Sequence, residues 1–120
     1  MKLSQQQLDF INENEWVVFA TASRGGAEPR AAIVIPSKVE ESQIILSNVQ
    51  MGKSEMNIRE NPKAFISSYK GDTQIKISGS TEYLESGSLF TEIKEFEKSR
   101  NVDIKGIIVL KIQNIEQTEG

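Results

Sequence analysis

The sequence predicts an α+β fold, mainly β, in which six strands make an antiparallel sheet that closes into a small barrel with helices at its edges. Three observations carry this prediction. The elements run α-βββ-α-ββ-α-β with short turns between most strands, and parallel strands would each need a long crossover. Residues Thr73 to Tyr83 alternate, with Ile75, Ile77, Gly79, Thr81 and Tyr83 on one face. Gln74, Lys76, Ser78, Ser80 and Glu82 fall on the other, the period of a half-buried strand. Finally, Gly106 to Ile112 is apolar on both faces for most of its length, so both sides should be covered.

In order along the chain, Leu3-Ser4-Gln5-Gln6-Gln7-Leu8 opens the first helix. Ser4 and Gln7 have capping-box spacing, and Leu3 and Leu8 fit a hydrophobic staple. Leu8 and Ile11 supply the buried stripe, which fades near Asn14. Trp16 to Ala22 is β-branched and aromatic, hence a strand. Arg24-Gly25-Gly26-Ala27-Glu28-Pro29 turns the chain into a second strand, Arg30 to Ile35, which Pro36 stops. Gln43 to Ser47 is the third strand, and Asn48 to Lys53 a loop. A short helix follows from Ser54 to Glu60, ended by Asn61-Pro62. Ala64 to Tyr69 and Thr73 to Tyr83 are strands joined by the turn Lys70-Gly71-Asp72. Ser86-Gly87-Ser88 opens a helix with Leu89, Ile93 and Phe96 on one side, and Gly106 to Ile112 is the last strand.

At 120 residues the chain is one domain, residues 1–120, large enough to bury a core without staples. It contains neither cysteine nor histidine. Disulfides, Cys/His zinc sites, thiolate nucleophiles and Ser-His-Asp triads are thereby excluded. No side chain has an ordinary pKa near 7, so the protein either binds or borrows chemistry from something it binds. A net charge of −3, with neither half basic, argues against nucleic acid or an anionic membrane as partner. No apolar run reaches membrane-spanning length and Met1 to Gln6 lacks a signal-peptide core, so a cytoplasmic location is expected.

The loop with chemistry in it is Ser47-Asn48-Val49-Gln50-Met51-Gly52-Lys53-Ser54-Glu55. Gly52-Lys53-Ser54 matches the end of a Walker A loop, but Ser47 stands where its first glycine belongs. An antiparallel sheet also removes the context that motif needs. The fragment still has two readings. Gly52 admits close backbone approach, Lys53 offers a positive charge, and Ser54 a hydroxyl at a helix N-terminus that favours an anion such as phosphate. Alternatively Ser54 only caps the helix and Gly52 only turns. Elsewhere, Trp16 is read as core and Arg24-Gly25-Gly26 as a solvated turn. The mixed charges Glu92, Lys94, Glu95, Glu97, Lys98 and Arg100 are read as a wet helix face. Gln74 and Lys76 either line a pocket or meet water.

So arranged, residues 5 to 117 resemble the pyridoxamine 5′-phosphate oxidase-like superfamily of FMN-binding split barrels, above all its small single-domain members. The resemblance lies in Phe19-Ala20-Thr21-Ala22, Glu28-Pro29-Arg30, Ile45-Leu46-Ser47-Asn48 and Lys53-Ser54 with Arg59-Glu60-Asn61-Pro62. Lys76-Ile77-Ser78-Gly79-Ser80-Thr81-Glu82-Tyr83 adds to it. It implies a split β-barrel that binds FMN, with the flavin phosphate on Lys53 and Ser54. Arg30, Ala31, Ala32 and Ile33, with Ser47, Asn48, Val49, Gln50 and Met51, would lie along the ring and ribityl chain. Gln74 would meet the flavin from the long strand. It further implies a homodimer with FMN at the interface, where residues around Asp103 to Gly106 complete the partner's site.

Departures limit the transfer. Where the oxidase has an arginine two residues beyond Arg30, this chain has Ala32. The oxidase's C-terminal Arg and His for pyridoxal phosphate have no counterpart before Gly120. Some relatives bind a deazaflavin or haem, and haem lacks a histidine ligand here. The reading is an FMN-binding flavoprotein, an oxidoreductase or electron-transfer protein distinct from the oxidase, with its donor and acceptor unassigned. Its rivals are a deazaflavin-dependent reductase of the same superfamily, a flavin carrier without turnover, and a non-catalytic small-barrel binding module. Against the last stand the net charge of −3 and only one Trp, two Tyr and five Phe, with no basic-aromatic cluster to stack bases.

Overall fold

The computed structural model describes residues 1–26 and 29–119. Its elements are α1 (Gln5–Asn14), β1 (Val17–Ala22), β2 (Pro29–Val34), β3 (Lys38–Val39), β4 (Gln43–Asn48) and α2 (Lys53–Glu60). They continue with β5 (Lys63–Lys70), β6 (Thr73–Leu84), α3 (Ser88–Ser99) and β7 (Gly106–Glu119). A one-turn 3₁₀ segment, Arg24–Gly26, follows β1. Ala27 and Glu28, which belong to the expected turn and to the Glu28-Pro29-Arg30 match, lie outside the described residues, as does Gly120.

All strands form one antiparallel sheet in the order β2-β1-β5-β6-β7-β4-β3. It has seven strands rather than the expected six. The addition is β3, whose two residues pair with Ile44 and Ile45 of β4; two residues are too few to show a period. The sheet curls. Val17 and Phe19 of β1 share a core with Ile44 and Leu46 of β4 although three strands separate them in the order. Edge strands β2 and β3 do not pair, and the gap on that side is the split of the barrel.

Alternation along β6 is as expected: Ile75 and Ile77 face the interior and Gln74 and Lys76 the outside. β7 is covered on both faces. Ile108, Leu110 and Ile112 enter the barrel core, while Ile107 and Val109 pack under α3 with Ile45, Phe90, Ile93 and Ile104. It runs on past Ile112 to Glu119 because a bulge between its Ile112 and Asn114 resets the register against Ser78 and Gly79. That extra residue breaks the sequence alternation and hides the strand's second half.

α1 closes one end of the barrel with Ile11 and α2 contributes Ile58 to the same core. The capping box is formed: Gln7 N–H donates to Ser4 Oγ at 3.1 Å and Ser4 N–H to Gln7 Oε1 at 3.0 Å. Leu3 and Leu8 both pack on the core, as a staple requires.

Three expectations are corrected. α3 buries Phe90, Ile93 and Glu97 with Leu89 packed partly against the same core, so its face keeps Leu89 and Ile93 of the expected stripe but not Phe96, which is 46% exposed. Consequently Glu97 is not on the wet face. Trp16 is half-buried outside both core clusters, its ring edge-on to Tyr69 at 5.2 Å; its place just before β1 puts it at the sheet's rim.

Candidate functional site

Where the barrel splits, a cleft of about 470 Å³ opens between β2, the end of β4 and the loop into α2. β2 supplies Ala32, Ile33 and Val34, and Ile35 follows them; β4 and its loop supply Ser47, Val49, Gln50 and Met51. β2 is an edge strand with no neighbour beyond it, so Ile33 stays 72% exposed. Most of the wall along β2 and the loop is aliphatic.

The loop is shaped from behind by Asn48. This residue is buried, its Oδ1 accepting the Met51 N–H at 3.0 Å and its Nδ2 donating to Tyr83 Oη at 2.8 Å and to Glu55. Arg59 Nε donates to Glu55 Oε2 at 3.1 Å and Nη2 to Glu85 Oε1 at 3.2 Å, while its guanidinium stacks 4.5 Å from the Tyr83 ring. The loop is thus tied to α2 and to β6. Burial works against ionisation of Glu55, but hydrogen bonds from Asn48 and Arg59 and the charges of Arg59 and Lys105 outweigh it. Its carboxyl is therefore held below the ordinary value.

At the loop's end Gly52 takes φ +54°, a left-handed conformation that favours glycine. It is the N-cap of α2, and no side chain caps the helix. The reading in which Ser54 merely caps is therefore corrected: Ser54 lies inside the first turn, buried, its N–H bonded to Met51 O at 3.1 Å. A helix start carries a positive dipole end, and Ser54 of its first turn lines the cleft.

Seven of the expected site residues line this cleft together: Ala32, Ile33, Ser47, Val49, Gln50, Met51 and Ser54. Five do not. Asn48 stands behind the loop. Arg30 and Ala31 are exposed on β2, opposite Thr21 and Ala20. Lys53 is exposed at the first position of α2. Gln74 is remote; its Nε2 donates to Ser67 Oγ at 2.8 Å and it borders a different hollow with Tyr69, Gly71 and Thr118.

Sequence reasoning missed Phe19, Val34, Ile35, Ser37, Glu97 and Arg100, which also line the cleft. Ser37 had no sequence signal; its hydroxyl bonds that of Ser47 at 2.6 Å because the chain leaving β2 crosses to β4. Glu97 and Arg100 were visible only as charges on a helix.

Among the described residues no group of three or more His, Cys, Asp or Glu could hold a metal, and no helix is long and apolar enough to cross a membrane.

A sequence model of the pyridoxamine 5′-phosphate oxidase family matches residues 3–119. No curated protein matches the chain. Among solved structures it is similar to HupZ of Group A Streptococcus, with TM-score 0.87 and 18% identity over 98% of each chain. An FMN-binding protein of Syntrophomonas wolfei gives TM-score 0.76 and 21% identity, covering 91% of this chain and 81% of that one. HutZ, a haem storage protein of Vibrio cholerae, gives TM-score 0.70 and 15% identity, covering 100% and 96%. At these identities the likeness is one of fold.

Proposed function

Because the chain belongs to the pyridoxamine 5′-phosphate oxidase family, we propose that the cleft is an FMN site and that the protein is a flavin-dependent oxidoreductase or electron carrier distinct from the oxidase. One observation carries the reading. An uncapped helix start at Gly52 to Ser54 adjoins a wall of Ala32, Ile33, Val34, Val49 and Met51. A phosphate tethered to a flat, largely apolar ring asks for that pairing of surfaces.

In this reading the Ser54 hydroxyl and the positive end of the α2 dipole take the phosphate and Lys53 adds its charge from the rim. Bound FMN would supply electron or hydride transfer, which no side chain here provides. The chain's own part is to orient the ring against β2, exclude water with Phe19 and Met51, and hold the loop through Asn48.

Gln74 lies apart from the cleft of its own chain, so it can serve a flavin only from a second copy. A homodimer with the site at its interface is accordingly part of the proposal, and the exposed outer edge at Ala31 and Ile33 suits such a contact. The fold is also that of a haem storage protein, but with no histidine or cysteine the usual strong axial ligands are lacking, and flavin is preferred.

The direct test is titration of purified protein with FMN by calorimetry and fluorescence. Binding with quenched flavin emission is expected; absence of any FMN uptake would overturn the reading.

A further inference from the structure

Only two ionisable side chains line the cleft among the described residues, Glu97 and Arg100, and both come from the end of α3. Lys53 stands outside the lining. The cationic residue in the lining is therefore Arg100, which also borders a neighbouring hollow with Glu15 and Ile35, on an element that sequence reasoning treated as solvated.

Arg100 is held at its backbone. It is the C-cap of α3, its N–H donating to the Glu97 carbonyl at 3.0 Å while the next residue's N–H, Asn101, takes the Lys98 carbonyl at 2.9 Å. At the side chain it is held loosely: Nη1 reaches Glu97 Oε1 at 3.4 Å, and the guanidinium lies 5.7 Å from the Phe96 ring. Five N–H donors are available to a guanidinium, and this long contact engages one. Glu97 is 6% exposed, so its carboxylate is shielded from solvent, while the Arg100 side chain is half exposed. A ligand phosphate or carboxylate can approach the remaining donors in forked, charge-assisted geometry at shorter distance.

We propose that Arg100 is an anion-recognition residue of the cleft, and that Glu97 orients its guanidinium while competing for it. The proposal rests on the flavin reading above. The anion has two possible carriers, the FMN phosphate itself or a phosphate- or carboxylate-bearing ligand that enters beside the flavin.

The test compares wild type, Arg100→Gln and Glu97→Gln, each confirmed folded by its melting curve. FMN and riboflavin are titrated first. Inorganic phosphate is then titrated into the flavin-loaded proteins while the flavin absorbance is followed. If FMN carries the anion, Arg100→Gln weakens FMN by about tenfold, the loss of one charge-assisted contact, and leaves riboflavin unchanged. If a second ligand carries it, both flavins bind as before, but the spectral response to phosphate disappears in Arg100→Gln. In either case Glu97→Gln, by removing the competitor, shifts anion binding to lower concentration.

Opposite signs for the two variants separate recognition from a merely structural pair. Arg100→Gln behaving as wild type in both arms, or both variants weakening together, overturns the proposal. Should wild type bind neither flavin, the flavin reading falls on its own. Phosphate titration of the protein alone, followed at the Arg100 Nε–H by NMR, then decides for Arg100: a shift lost in Arg100→Gln supports it and no shift overturns it.

Discussion

Gly106 opens β7 where the Tyr83 hydroxyl crosses it, and a Cβ there would come within 2.5 Å of that oxygen. Tyr83 cannot yield freely, because its hydroxyl also receives the hydrogen bond from Asn48 that shapes the loop. Gly106→Ala should therefore lower stability and loosen the loop together, read as a lower urea midpoint with weaker flavin binding. Unchanged values for both would show that Tyr83 has room to move. Lys53 acts by charge alone in the proposed site. Lys53→Ala should weaken FMN several-fold while riboflavin, which lacks the phosphate, binds as before; equal losses for the two ligands would remove Lys53 from the phosphate. These residues are unequally legible. Gly52 and Lys53 announce themselves as a Gly-Lys-Ser run, whereas Gly106 reads only as the start of an apolar strand, since its constraint comes from a side chain far away in sequence.

At the scale of elements, α1 depends on its start. Its Ser4-Gln7 box is formed as the spacing predicts, and Ser4→Ala should cost about 1 kcal/mol, measurable by urea denaturation. For α2 the lever is Glu55. Its folded pKa lies below the ordinary value of 4.5, so the unfolded chain binds the proton more tightly. The contribution is complete above the unfolded value and is lost as pH falls through the folded one. The stability difference between wild type and Glu55→Gln should accordingly shrink as pH is lowered from 7 to below about 4.5. A difference independent of pH would disprove the assignment. α3 shows where pattern reading fails: its charged residues suggest a wet face, yet Glu97 turns inward because the apolar set packed with β7 is Leu89, Phe90 and Ile93 rather than Leu89, Ile93 and Phe96. One helical step in the face moves a carboxylate from water into the cleft.

For the whole molecule, the barrel core joins β1, β4, β5, β6 and β7 with α1 and α2 in one cluster. Phe19 sits in it fully buried while also lining the cleft, so Phe19→Ala should cost about 3–5 kcal/mol and weaken flavin binding with it. The proposed interface site makes an assembly prediction. Light scattering should give twice the 13.4 kDa chain mass at micromolar concentration. A monomer that binds FMN with full affinity would mean that Gln74 takes no part.

Residue types and their spacing by themselves determined the order of every element but the two-residue β3, the two-faced burial of the first half of β7 and the capped α1, and marked the loop from Ser47 to Ser54 as a candidate place for an anion. These are consequences of local periodicity and turn chemistry, which neighbours in sequence decide. Folding in three dimensions alone decided that the sheet curls until β2 and β4 face each other, that Asn48 supports the loop from behind, and that Gln74 lies elsewhere. It also carried Glu97 and Arg100 across to the cleft. Such placements depend on contacts between residues dozens of positions apart, and closure of the sheet, rather than any local preference, brings those residues together.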